Sequence, residues 1–312
     1  MQLGLADVEE AARVLARYVH RTPLVGSRSI SARLGYEVRF KAENLQKCGA
    51  FKARGAHWKL SRLAPGVPGV VTFSSGNHGQ AVALAARTFG LRAVVVVPTG
   101  ASPVKVAAMQ GYGAEVVFEG ATSVERQRRA EAIAAERGYA VVPPFDDAAV
   151  VVGQGTAALE VRQYWPEVRR LDDPVGGGGL LGETILAAGD VEVVAVEPTG
   201  APTLARALEA GRPVDLGSTD TIADGLQPVK IGALNFELAR DAGIRPLLVS
   251  DASIVDAMRL VLERLKLLVE PSGAAGLAAL LEHALPPAPT AVILTGGNVA
   301  LERLGQLLGT RP

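Results

Sequence analysis

The chain has 312 residues, 48% apolar and 21% charged, the balance of a globular protein with room for one large domain or two ordinary ones. Its 32 basic and 32 acidic residues form no block of one sign, which argues against nucleic acid or an anionic membrane as main partner. The single cysteine, Cys48, excludes an intrachain disulfide framework. The N-terminus MQLGLADVEEAARVL lacks the marks of a signal peptide, and no apolar run reaches bilayer length, so the expectation is a soluble cytoplasmic protein.

Hydrophobic periodicity predicts a helix over 5–20, a strand over 37–42, a helix over 52–62 and a strand over 70–73. A helix over 76–89, a strand over 93–97, a helix over 103–110, a strand over 115–118 and a helix over 122–137 follow. Beyond these come a helix over 154–164, a strand over 191–196, helices over 253–266 and 274–283, and a last strand over 291–294. Apolar runs such as the four valines at 94–97 suit strands covered on both faces, so the alternation implies an α/β fold with mostly parallel sheets.

Four segments carry chemistry. Cys48-Gly-Ala-Phe-Lys-Ala-Arg-Gly55 sets Lys52, one of only seven lysines, at the start of a helix, where the dipole favours a neutral, nucleophilic amine. By itself this is more often an exposed first-turn lysine. Thr72-Phe-Ser-Ser-Gly-Asn-His-Gly-Gln80 follows a strand and opens a helix, a turn able to cradle a carboxylate, although an ordinary N-cap would explain it too.

Pro174-Val-Gly-Gly-Gly-Gly-Leu180 can wrap backbone around a phosphate at a helix start. The same stretch fits G-x-G-x-x-G through Gly177, Gly179 and Gly182, with Glu197 ending the next strand, so a dinucleotide site stays open locally. Leu294-Thr-Gly-Gly-Asn298 places a hydroxyl at the C-terminal edge of the sheet and, alone, is a turn.

Together and in this order the four segments resemble fold-type II pyridoxal-phosphate (PLP) enzymes, in the threonine/serine dehydratase and serine racemase branch. Ala223-Asp-Gly225 and Glu270-Pro-Ser-Gly273 look like two further signatures, and the similarity runs over nearly the whole chain. It displaces the dinucleotide reading, which explains one segment and leaves five unused. The resemblance implies a tryptophan synthase β-like fold of two domains, a large one from 1–68 and 148–312 and a small mobile one over 69–147. It implies that Lys52 holds PLP, Phe51 packs on the pyridine ring, Asn77 meets the 3′-oxygen, Gly176, Gly177, Gly178 and Gly179 hold the phosphate, and Thr295 faces the ring nitrogen. Ser74, Ser75, Asn77 and His78 would border the substrate carboxylate, with Ser75 matching the second acid/base of the racemases. Asp224 and Glu270 would be pocket walls.

The implied reaction is dehydration and deamination of L-threonine and L-serine to a 2-oxo acid and ammonia, in a homodimer. A serine racemase with dehydratase side activity is the alternative within the family. A β-replacement synthase and a non-catalytic PLP or dinucleotide module are further readings. The racemases bind a divalent cation; Glu197 and the Ala201 carbonyl match two ligands, but Thr203 replaces the third, an aspartate. A weakened Mg²⁺ or Ca²⁺ site and a metal-free one both remain open. The strand before the phosphate loop, usually valine or isoleucine in the family, carries Asp172 and Asp173 here, and the expectation is local fraying.

Overall fold

The computed structural model describes residues 3–120 and 122–309. The first part runs α1 (Leu5–Leu15), β1 (Leu24–Gly26), α2 (Arg28–Leu34), β2 (Val38–Lys41), α3 (Lys52–Ser61) and β3 (Gly69–Phe73). Next come α4 (Asn77–Phe89), β4 (Arg92–Val97), α5 (Pro103–Gly111), β5 (Glu115–Phe118), α6 (Ser123–Arg137) and β6 (Ala140–Val141). The middle holds α7 (Ala148–Gln154), α8 (Thr156–Tyr164), β7 (Arg170–Pro174), α9 (Gly179–Ala188), β8 (Glu192–Pro198) and α10 (Thr203–Ala210). The chain closes with α11 (Ala233–Asp241), β9 (Leu247–Val249), α12 (Asp251–Leu260), α13 (Pro271–Glu282), β10 (Thr290–Ile293) and α14 (Leu301–Gly309).

The strands form two sheets. One has the order β1-β2-β10-β7-β8-β9, antiparallel only at β1–β2; the other, β5-β4-β3-β6, is parallel throughout. This is the expected α/β class. The valine run of β4 shows why helices cover both faces. Val95 and Val97 pack with the alanines of α4, while Val94 and Val96 pack with Ala130 and Ile133 of α6, so alternate side chains enter separate cores. No helix among the described residues is long and apolar enough to cross a membrane.

Several boundaries differ from the sequence reading. The helix expected over 154–164 starts at Thr156 as α8, and a further helix, α7, precedes it and ends at Gln154. Asp147 caps α7 by accepting from the Ala149 and Val150 N–H groups, both at 3.0 Å. Helix α12 widens into a π-turn over Val261–Leu265 and stops where Lys266 enters the left-handed region at φ 60°. Helix α3 lies so close to α7 that a Cβ on Gly153 would stand 2.6 Å from the Trp58 Cβ. That approach sets Lys52 against the middle of the chain.

The fraying expected at Asp172 and Asp173 does not occur. β7 pairs in full register with β8 and also with β10, and all five of its residues are buried. The neighbouring arginines do not neutralise the acids: Arg170 pairs with Glu192 at 2.9 Å and Arg169 bonds backbone carbonyls. Asp173 accepts from the Thr184 hydroxyl at 2.6 Å, and burial pushes its carboxyl up to about 8. Neither oxygen of Asp172 has a hydrogen-bond partner among the described residues, and burial raises it well above the usual carboxylate range. Ladder hydrogen bonds on both sides hold the strand, and burial shifts both carboxyls toward their protonated forms.

A raised folded-state pKa stabilises below the unfolded value of ~3.9, and stability is lost as pH rises from there through the folded value. Asp172→Val removes no bonded partner, so it should stabilise the fold by about 1–3 kcal/mol near pH 8. The gain should shrink toward pH 4. Thermal melts of both proteins across that range measure it; a pH-independent difference would show that the carboxyl is ionised in the folded protein.

Candidate active site

Lys52 is the first residue of α3, and its place is set by the segment before it. Cys48 and Gly49 take positive φ angles of 54° and 72°, turning the chain so that Ala50 bridges to Gly296 and the Phe51 N–H donates to the Thr295 carbonyl at 3.1 Å. These contacts dock the start of α3 on the end of β10. Lys52 Nζ donates to the Pro144 carbonyl at 2.7 Å and lies 4.9 Å from the centroid of the Phe51 ring. Burial lowers its pKa to about 8, against the opposing pull of Glu183. Desolvation thus eases loss of the ammonium proton, the direction Schiff-base chemistry needs.

Residues Gly176–Gly179 lead directly into the N-terminus of α9, whose first N–H groups have no intrahelical acceptor. Gly178 has φ 82°, and a Cβ on Gly177 would fall 2.3 Å from the Phe145 ring. The Gly177 carbonyl accepts from Asn235 Nδ2 at 2.9 Å and from the Gly232 N–H at 3.1 Å, fixing the loop from below. Gln154 is fully buried against Gly179, and neither atom of its amide is partnered among the described residues. An anion cradle of bare backbone, an orphaned amide and a low-pKa lysine together fit an aldehyde-bearing phosphate cofactor.

The turn after β3 brings Ser74, Ser75 and Asn77 to the same edge. Ser74 Oγ accepts from the Gly76 N–H at 3.2 Å, and Ser75 is exposed. Asn77 Nδ2 donates to Glu270 at 2.6 Å, and Asn77 Oδ1 accepts from Asn298 at 2.8 Å, joining this turn to the loop after Thr295. Burial raises Glu270 to about 7, with Asp224 adding to the rise. His78 is buried, with Nε2 3.0 Å from the Val142 carbonyl, and burial and the Lys52 charge lower it to about 3, so it is neutral. Thr295 is buried beside Gly296.

Glu197 and Ala201 are already engaged. Glu197 caps α10, accepting from the Leu204 and Ala205 N–H groups at 2.6 and 3.0 Å and from the Thr203 hydroxyl at 3.1 Å. The Ala201 carbonyl accepts from the Thr203 N–H at 3.0 Å, and Thr203 Oγ1 also reaches the Gly176 carbonyl at 3.0 Å. Among the described residues no three acidic, histidine or cysteine side chains come together to hold a metal. Helix N–H groups and a hydroxyl thus already engage Glu197, and Thr203 brings a neutral hydroxyl where a third hard, charged oxygen would strengthen a cation site.

Several members of this site escaped the sequence reading: Pro144, Phe145, Gln154, Glu183, Asn235 and Lys105. Lys105 forms an ion pair with Asp224 across the gap between the two sheets. None sits in a glycine-rich turn, and each enters through contacts distant in sequence.

The fold and site define a fold-type II PLP-dependent enzyme. The family described as pyridoxal-phosphate dependent enzyme matches residues 15–296, and this chain belongs to it. It is 40% identical over 310 residues to an L-threo-3-hydroxyaspartate ammonia-lyase from Pseudomonas sp, covering 97% of each chain. Its structure is similar to a threonine deaminase from T.th., with a TM-score of 0.90, 42% identity and coverage of 96% and 99% of the two chains. Maize serine racemase matches with a TM-score of 0.94 and 38% identity, over 98% of this chain and 97% of that one.

Gly177→Ala should drive its new methyl into Phe145, at an overpacking cost of about 1–3 kcal/mol. Titration of the apoprotein with PLP, followed by absorbance, should show weaker retention, and Phe145→Ala in the same chain should recover part of it. Unchanged retention in the single variant would mean that the ring moves freely and does not brace the loop.

Proposed function

We propose that this chain is a PLP-dependent ammonia-lyase that converts small β-hydroxy amino acids, L-threonine and L-serine among them, to 2-oxo acids and ammonia. The observation that carries the reading is the buried Lys52 amine, with its pKa lowered to about 8, set beside the glycine cradle at the start of α9. Gly176–Gly179 would hold the phosphate, Lys52 the aldehyde carbon, Phe51 the ring face, Asn77 the 3′-oxygen and Thr295 the ring nitrogen. When bound, PLP supplies an electron sink that acidifies Cα and assists departure of the β-hydroxyl.

Lys52 Nζ takes the Cα proton as general base, which a neutral amine in a partly dry site can do. Ser74, Ser75, Asn77 and the N-terminus of α4 bind the substrate carboxylate and orient Cα. His78, neutral behind this turn, supports it. The hydroxyl leaves as water, and hydrolysis of the remaining C–N bond returns one water, so the net products are a 2-oxo acid and ammonia. Residues 69–147 are read as a unit that closes on 1–68 and 148–312, excluding water from the site. The reading includes a cytoplasmic homodimer, which light scattering tests for assembly.

A second reading, serine racemase, is favoured by one observation: Ser75 is exposed on the lip of the turn, able to exchange protons, and the maize racemase has this backbone. The two readings share every residue but assign Ser75 differently.

A 2-oxo acid assay on L-threonine, L-serine and D-serine, with chiral analysis of recovered serine, separates them. Lys52→Ala should lower turnover by roughly a thousandfold or more and abolish the absorbance of lysine-bound cofactor. Retained turnover would remove Lys52 from its role. Ser75→Ala should depress racemisation and D-serine chemistry well beyond dehydration of L-substrates; an equal loss of all would leave Ser75 a carboxylate contact alone.

A further inference from the structure

Behind the glycine cradle, α9 places a carboxyl on the face that meets the helix carrying Lys52. Gln154, at the end of α7, spans the gap between them. A Cβ on Gly55 of α3 would lie 2.7 Å from its Cγ, and one on Gly179 would lie 3.4 Å from its Oε1. Glu183 follows Gly179 by one helical turn on the same face, and a Cβ on Gly155 would stand 3.3 Å from the Glu183 Cβ. The Glu183 side chain is fully buried, and neither of its oxygens has a hydrogen-bond partner among the described residues. A carboxyl buried without a bond costs stability, so it does not serve the packing of α9.

Four charged groups act on Glu183: Lys52 and Arg54 from α3, Glu43 from the turn after β2, and Asp173 from β7. The α7–α8 junction and α1 bring Gln154, Gly155 and Val8, which carry no charge. Arg54 and Lys41 are matched by Glu43 and Glu160 in ion pairs of 2.5 to 2.8 Å, so that group is neutral as a whole. Asp173 is bonded to Thr184, and its charge opposes ionisation of Glu183. Lys52 itself bonds a neutral carbonyl, that of Pro144, and the imidazole it acts on, His78, is uncharged above about 3. Glu183 is thus the acid whose charge reaches the Lys52 amine, and the action is mutual.

We infer that Glu183 is a positioning residue for the reaction, the buried counter-charge that steadies the ammonium Lys52 becomes on taking the Cα proton. This rests on the ammonia-lyase reading in treating Lys52 as the base, and deepens it by naming what sets the strength of that base. In a dry interior an ammonium without a counter-charge is costly, and the ionised form of Glu183 offsets that cost. Asp173 works against it by favouring the protonated form of Glu183. No bond to carbon is made or broken at Glu183, so the net reaction is unchanged.

The first test needs no turnover. Lys52 captures PLP only as a neutral amine, so the rate of capture by the apoprotein, followed by absorbance, rises with pH through the Lys52 pKa of about 8. Glu183→Gln and Glu183→Leu both remove the counter-charge and should move that midpoint down by about one pH unit, the weight of one charge across an interior of effective dielectric ~20. Glu183→Asp should restore most of the wild-type midpoint, and Asp173→Asn should not lower it. Glu183→Leu should also melt no lower than the wild type, since the unbonded oxygens are gone. In the holoenzyme, Glu183→Gln should lower kcat for L-serine by roughly 3- to 10-fold with KM nearly unchanged, because a weaker base acts on the same bound substrate. A midpoint unmoved by both substitutions, or lowered equally by Asp173→Asn, would overturn the assignment. So would loss of the fold in both variants, which would make the carboxyl structural. If no hydroxyamino acid yields a 2-oxo acid, the ammonia-lyase reading fails, while the capture midpoint still reports on Glu183.

Discussion

The site depends on a buried guanidinium two residues beyond the cofactor lysine. Arg54 is inaccessible to solvent, and its side chain donates to both oxygens of Glu43 at 2.8 Å, to Glu160 at 2.8 and 2.9 Å, to the Thr156 hydroxyl at 3.0 Å and to the His20 carbonyl at 3.3 Å. These partners come from the segment before β1, the turn after β2 and helix α8, so one side chain fastens α3 to three separate stretches. Lys41, also buried, adds a bond from Nζ to Glu160 at 2.5 Å. Burying such charges is costly, and the arrangement holds because carboxylates and hydroxyls meet the guanidinium donors. Lys52 inherits its position from that anchorage: with Arg54 fixed, the first turn of α3 sets the amine toward the Pro144 carbonyl, 2.7 Å away.

A second electrostatic feature lies behind the glycine cradle. Glu183 is fully buried, neither of its oxygens is hydrogen-bonded among the described residues, and burial together with Asp173 pushes it well above the usual range. Lys52 and Arg54 pull the other way. The low-dielectric interior thus favours the neutral form of both the lysine and the acids around it, which is the state in which an amine attacks a carbonyl carbon. The same dryness leaves β7 with two buried carboxyls, of which Asp173 is met by the Thr184 hydroxyl and Asp172 by no hydrogen-bond partner among the described residues.

Much of the fold could be read from residue pattern. The four-valine run, the start of the helix at 122–123 and the glycines before α9 each act over a few residues, and each lies where the pattern put it. Reading failed where local preference met a long-range constraint. Helix α7 has no counterpart in the residue pattern, and what holds it is the Asp147 cap together with α3 packed on it. Asp172 and Asp173 sit in an intact strand because β8 and β10 hydrogen-bond to both of its edges. At the site, Lys52 and the glycine loop were legible as chemistry-bearing turns, whereas Phe145, Gln154 and Asn235 were not, since nothing within a few residues of them marks a role.

What the sequence by itself determined is the set of local devices and their order: an amine opening one helix, a serine–asparagine turn opening another, and a glycine run opening a third. Those follow from short-range backbone chemistry, in which a missing Cβ or a capping oxygen acts on the next few residues. Only the tertiary structure decided which of them meet, that Lys52 is dry enough for a lowered pKa, that Glu197 caps α10, and that Lys105 faces Asp224 above the substrate turn. Desolvation and ion pairing depend on neighbours as many as 119 residues apart, as for Lys105 and Asp224. Burial and distance of that kind come into being only when the chain has closed on itself.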